Sequence, residues 1–106
     1  MKTSNFAIIG HADTVYQASS LRTLMGGAAQ QPNGSFRFER WFGSRYEAKE
    51  WMRDRLKFLW TGDAITEDEY WEQKNALDNG GEAIRYDAAY CRIEEFPIEY
   101  IRTRGL

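Results

Sequence analysis

The sequence has few of the residues on which most metal and nucleophilic chemistry depends. It carries one cysteine, Cys91, so no internal disulfide can form. Its one histidine, His11, together with that cysteine falls short of any four-ligand zinc site, and no metal or cofactor is expected. Prolines number two, and no stretch approaches the 18 apolar residues of a membrane helix. The residues from Met1 to Gly10 lack the long apolar run of a signal peptide, so a cytoplasmic setting without a membrane anchor is expected. No internal repeat or low-complexity linker interrupts the chain. Aromatic residues, by contrast, are plentiful: 15% of the 106 residues, with four Trp, six Tyr and six Phe. With 42% hydrophobic and 28% charged residues, residues 1–106 read as a single globular domain that needs no metal or disulfide to fold.

Hydrophobic periodicity and helix-start signals supply the fold class. Phe6-Ala7-Ile8-Ile9 is a short apolar run ended by Gly10 and predicts a buried strand. Thr14 to Ala18 alternates and predicts a second strand. Ser19 to Gln31 predicts a short helical turn and then a mobile loop, because Gly26-Gly27 interrupts the spacing of Leu21, Leu24, Met25 and Ala28. Phe36 to Phe42 is an aromatic strand. Ser44 and Glu47 form a capping box ahead of the stripe Ala48, Met52, Leu56, Leu59 and Trp60, which predicts a helix over 44–60 with Gly62 as its C-terminal cap. Thr66 and Glu69 form a second box, with Ile65 and Tyr70 as hydrophobic staple, for a helix over 66–78 that stops at Gly80-Gly81. The short connection predicts an antiparallel helical hairpin. Glu82 to Glu95 alternates as one strand, and Ile98 to Arg102, after Pro97, as a last edge strand. The expected architecture is α+β: an antiparallel sheet of about four to five strands with the two-helix hairpin on one face.

No catalytic set emerges, and the chain is read as non-enzymatic. His11 is the only imidazole base, and a strand cysteine such as Cys91 is usually buried and inert, which argues against a Cys91–His11 pair. Glu94 and Glu95 are adjacent on a strand and point to opposite faces. Gly26-Gly27 and Gly80-Gly81 lack the spacing and the lysine of a phosphate loop. The acids after Asp63 mimic the exit of a calcium-binding loop, but that register places Phe58, Trp60 and Gly62 at the ligand positions, so calcium is rejected.

Charge is distributed unevenly. Residues 1–60 carry nine Lys or Arg against five Asp or Glu, and residues 61–106 carry five against eleven. Two candidate surfaces follow. The acidic and aromatic one consists of Asp63, Glu67, Asp68, Tyr70, Trp71 and Glu72, with Asp78 nearby; large rings within charge have the composition of a protein-interaction hot spot. The basic one is a stripe of Arg45, Lys49, Arg53 and Lys57 at four-residue spacing, joined by Arg37, Arg40 and Trp41, which suits phosphates and stacked bases. Against it stand Glu47, Glu50 and Asp54, placed for helix ion pairs, and a pI of about 5.4. Pairing of basic and acidic halves between copies in a homo-oligomer is a third arrangement the sequence allows.

Two resemblances accompany this reading. Residues 59–77, through Ile65-Thr66, Glu69-Tyr70, Lys74 and Leu77, resemble the short helical-hairpin module called SHOCT, although Asp63 stands where that module usually has glycine. This supports the hairpin. In size, mild acidity and strand-and-helix layout, the chain resembles in style the small bacteriophage proteins that block host defences, anti-CRISPR proteins among them, without carrying the motif of any particular family. That resemblance implies steric inhibition of a nuclease or surveillance complex. The expected function is a small binding protein that occupies a macromolecular partner's surface, with a nucleic-acid-binding accessory or regulatory protein as the alternative.

Overall fold

The computed structural model describes residues 4–26, 29–30 and 36–97. The first strand, β1 (Ser4–Ala12), is the middle of a five-stranded sheet and is hydrogen-bonded on both sides. Its apolar run is buried throughout, at Ala7, Ile8 and Ile9. A helix, α1 (Val15–Met25), follows, and then a two-residue strand, β2 (Ala29–Gln30), and β3 (Phe36–Phe42). Two further helices, α2 (Arg45–Thr61) and α3 (Glu67–Asp78), lead to the hairpin β4 (Ala83–Tyr86) and β5 (Ala89–Pro97). The strand order is β2-β3-β1-β5-β4, antiparallel throughout. The fold is therefore α+β, with four full strands and a short fifth.

Register assigns the two faces of the sheet. Phe6 pairs with Phe42 and Glu95, and Ile8 with Arg40 and Ile93, so these residues share the face that α1 and α2 cover. Ile8, Phe38, Cys91, Ile93 and Ile84 from the strands meet Leu21 and Leu24 of α1 and Met52, Leu56 and Leu59 of α2 in one buried cluster. At Gly10, α1 comes close: a Cβ there would sit 2.6 Å from Leu21 Cδ1 and 3.1 Å from the Tyr90 carbonyl. Ala7, Ile9, Arg37, Glu39, Trp41, Arg92 and Glu94 belong to the opposite face by the same register.

The helical hairpin forms as its caps predict. Thr66 Oγ1 accepts from the Glu69 amide at 3.2 Å while Glu69 accepts from the Thr66 amide at 3.0 Å, and Ile65 and Tyr70 are buried as the staple. The bond from the Thr66 amide, and next the Thr66 hydroxyl, holds the Glu69 carboxyl below its usual range. At α2 half of the box is realised: Ser44 Oγ caps the Glu47 amide, but the Glu47 carboxylate reaches past it to the Gly43 amide. Lys49, near the start of α2, donates to the Leu77 carbonyl at the end of α3, and Trp60 stacks on Tyr70 at the other end, so the helices are antiparallel. The left-handed residue after α2 is Asp63 (φ 61°), whereas Gly62 has φ −91°.

Two expectations need correction. Thr14 to Ala18 is not a strand: Thr14 caps α1 by accepting from the Gln17 amide at 3.1 Å, and Ala18 begins the buried helical stripe that continues through Leu21, Leu24 and Met25. Gly26, at φ 80°, ends that helix. Glu82 to Glu95 is two strands, because Asp87 at φ 54° turns the chain within two residues and shifts the inward positions from Ile84 to Ala89, Cys91 and Ile93. The helical hairpin lies on one face of the sheet as expected. Helix α1 shares that face with α2, while α3 packs against α2 and borders the β4 edge. The strand expected over Ile98 to Arg102 lies outside the described residues.

Candidate functional site

The turn between α2 and α3 assembles one candidate surface. Trp60, half-buried, stacks on Tyr70 with ring centroids 4.6 Å apart, and Trp71 stands edge-on to Tyr70 at 5.1 Å. Tyr70 is only 7% exposed and acts as the support, whereas Trp71 is 45% exposed. Successive helix residues differ by about 100°, so one ring enters the core and its neighbour remains at the rim. Asp63, Glu67 and Asp68 are exposed on the same turn and first helical turn, and none takes part in an ion pair among the described residues. Glu72 does: it pairs with Arg85 at 2.9 Å. The acidic–aromatic set is thus contiguous, with Tyr70 inside, Glu72 engaged, and Asp63, Glu67, Asp68 and Trp71 outward.

The basic residues separate into three groups. Arg45 pairs with Glu82 and lies within 3.6 Å of Glu95, its charge held more firmly chiefly by the hydrogen bond to Glu82. Lys49 is bound to the Leu77 carbonyl, and Arg53 bridges Asp78 and Glu50, with Asp78 the larger cause of its raised pKa. Asp78 in turn is held below its usual range by Lys74 and then Arg53. Arg45, Lys49 and Arg53 of the helix stripe are therefore engaged with α3 and the β4–β5 hairpin. Arg37 pairs with Glu39 at 2.6 Å and shares with Trp41 the sheet face opposite the helices, where Trp41 packs on Phe96 at 5.3 Å.

Arg40 belongs to neither group. It lies on the helix side of β3, where its guanidinium donates to the Met25 carbonyl and sits 4.9 Å from the Trp51 ring. Beside it is Arg55, which donates to the Leu24 and Thr23 carbonyls and lies 4.5 Å over the Phe58 ring. Burial, and next the charge of Arg40, lowers the Arg55 pKa. No carboxylate pairs with either among the described residues.

Other chemistry-bearing groups are structural. Cys91 is fully buried, and burial pushes its thiol up to about 12, while His11 is exposed at the end of β1. Asp87 accepts from the Tyr16 and Ser20 hydroxyls at 2.5 and 2.8 Å, which tie the β4–β5 turn to α1. These bonds, that from Tyr16 foremost, keep its carboxyl below the usual range. Gln73 is 4% exposed and clamps the β4 edge, accepting from the Arg85 amide at 2.7 Å and donating to its carbonyl at 3.0 Å. A groove of about 180 Å³ lies beside it, lined by Glu72, Ala76, Ala83, Arg85 and Tyr90. Small-molecule pockets are commonly larger, at about 300–1,000 Å³.

Sequence reasoning passed over Gln73 and Arg55, though both left a trace. Gln73 occupies an apolar position in the stripe Tyr70, Gln73, Leu77, where an amide signals a buried polar partner. Arg55 is flanked at helical spacing by Trp51, Met52, Phe58 and Leu59 and by no acid. Among the described residues, no group of three or more His, Cys, Asp or Glu is placed to hold a metal ion, and no helix is long and apolar enough to cross a membrane. In comparison with known proteins, the chain matches no protein-family model, no curated protein and no solved structure.

Proposed function

We propose that this protein is a non-enzymatic binding protein that occupies the surface of a protein partner with the tip of its helical hairpin. One observation carries the reading: Trp71 stands exposed on a rigid base of Tyr70 and Trp60, beside exposed acids, Asp63, Glu67 and Asp68, that form no ion pair among the described residues. A pre-positioned aromatic ring binds with little loss of conformational freedom, and exposed acids steer it to a basic surface. The partner class is therefore a protein with a basic patch, of the kind that handles nucleic acid. The finer reading is steric inhibition of the bacteriophage type in a cytoplasmic setting, in which the tip covers the nucleic-acid-binding residues of a host-defence nuclease or surveillance complex.

A tagged chain passed through nuclease-treated bacterial lysate tests this. A defined protein should be retained, and it should be lost both with Trp71→Ala and with Asp63, Glu67 and Asp68 changed together to Lys. Equal retention by both variants overturns the assignment of the tip. Recovery of nucleic acid alone, or of proteins lost on nuclease treatment, overturns the protein-binding reading itself.

A further inference from the structure

The Arg40–Arg55 pair has a residual charge that its structural role does not account for. The two side chains close the C-terminal end of α1, donating to the Thr23, Leu24 and Met25 carbonyls. A helix end carries the equivalent of about half a negative charge, against two full positive charges here. Arg55 uses Nε and one terminal nitrogen, and Arg40 uses one terminal nitrogen. The other terminal nitrogen of Arg55, and Nε and the other terminal nitrogen of Arg40, have no acceptor among the described residues. The two forks also converge. Both approach Gly26: a Cβ there would lie 3.6 Å from Arg55 Nη2 and 3.7 Å from Arg40 Nη2, the nitrogens that donate to the Thr23 and Met25 carbonyls. Two neighbouring guanidiniums, each with donors to spare, match the oxygens of a phosphoryl group. Aromatic surface adjoins them: Trp51 underlies both guanidiniums, and Phe58 is 60% exposed beside Arg55.

The geometry points to a phosphate-binding site at Arg40 and Arg55, beside the exposed ring of Phe58, that takes a backbone phosphate of single-stranded nucleic acid with its base stacked on that ring. The site is independent of the hairpin tip, since Arg53 and Lys49 turn toward α3 whereas Arg55 turns toward α1. It is also distinct from Arg45, Lys49 and Arg53 of the stripe on α2, which are engaged with acids or carbonyls of the fold. Base stacking on an open ring is tolerant of sequence, so the expected ligand is a single strand without strong base preference.

The test begins with the unaltered protein, titrated with a short oligothymidylate at about 50 mM salt while the arginine Nε–H signals are followed by NMR. The signals of Arg40 and Arg55 should shift and saturate, and affinity should fall with salt at a log–log slope of about −0.7 per phosphate contacted. Phe58→Ala should weaken oligonucleotide binding by about five-fold or more and pyrophosphate binding by less. Arg40→Gln should weaken both ligands, and Arg92→Gln on the opposite face neither. No shift at either arginine, or shifts at Arg45 and Arg53 instead, overturns the site. Binding of pyrophosphate without oligonucleotide overturns the nucleic-acid assignment.

Discussion

Replacing Gln73 by leucine tests how the open edge of the sheet is held. The side chain is buried, and its amide makes both of the hydrogen bonds that a neighbouring strand would have made to Arg85. Leucine keeps the approximate volume and the helical propensity but leaves the Arg85 N–H and C=O without partners. Each lost bond accounts for about 1 kcal/mol net, and stranding part-buried groups raises the total to roughly 2–3 kcal/mol. In a chain of this length that lowers the melting temperature by about 8–15 °C. Urea unfolding should show a lower midpoint with an unchanged slope, and hydrogen exchange at the Arg85 amide should accelerate ahead of the β1 amides. Gln73→Glu makes the comparison sharper. Its carboxylate still accepts from the Arg85 amide but opposes the Arg85 carbonyl, so the buried Glu favours its protonated form, which can donate to that carbonyl. Its folded pKa is then raised, and the stability lost at neutral pH returns as the pH falls through that value. Relative to Gln73→Leu, the Glu variant should therefore recover at acid pH. A Leu variant within about 0.5 kcal/mol of the parent, with Arg85 exchange unaltered, refutes the clamp, since that is the scatter of ordinary surface substitutions.

Gly10→Ala should destabilise by about 1–3 kcal/mol in a thermal melt, because the new methyl overlaps buried Leu21 and presses on the Tyr90 carbonyl. Cys91 should be inert to Ellman's reagent at about pH 8 until the chain is unfolded in urea. Since its thiol is raised from an unfolded value of about 8.5, its contribution to stability is intact below that pH and declines by about 1.4 kcal/mol per unit as the pH rises toward 12; Cys91→Ala should remove that part of the alkaline slope. Asp63→Gly should relax the backbone at φ 61° and raise stability by about 0.5 kcal/mol while weakening capture of the protein partner, which shows as a higher melting temperature with lower retention.

What could be read along the chain depended on the range of the interaction. The start of α3 was legible because capping is local: Thr66, Glu69, Ile65 and Tyr70 complete it within six residues. β1 and β3 were legible because their apolar and aromatic content survives in any α+β arrangement. α1 was misread at Val15 to Ala18 because a strand and an amphipathic helix share a pattern over five residues, although Thr14 and Gln17 carry a helix-start signal, with the Gln17 side chain accepting from the Asp13 amide. The β4–β5 turn was missed for a different reason. Its left-handed residue is Asp87 rather than glycine, and what holds it there, Tyr16 and Ser20, is more than 60 residues away. At the candidate surfaces, the composition of the acidic tip was legible, but the burial of Tyr70 and the engagement of Glu72 depend on Trp60 and Arg85, which only the fold brings close.

The split between a basic first half and an acidic second half has a physical resolution in the packing. The stripe on α2 runs antiparallel to α3 and past the start of β4, so Arg45 and Arg53 meet Glu82, Glu95 and Asp78, and Lys49 meets a carbonyl. Most of these pairs are solvent-exposed, and each adds at most about 1 kcal/mol, so their greater effect is to set which helix faces which. The charges that remain are those the pairing does not reach. At the end of the hairpin, Asp63, Glu67 and Asp68 extend past the last basic residue of α2 that faces α3. On the far side of α2, Arg55 turns from α3 toward α1, where its neighbour is another arginine. An internally neutralised hairpin with one acidic end and one basic flank presents two surfaces of opposite sign from a single element. If the pairing is what separates them, Arg53→Glu should loosen α3 from α2, and it should disturb the tip while leaving the Arg40–Arg55 pair, anchored on α1, in place.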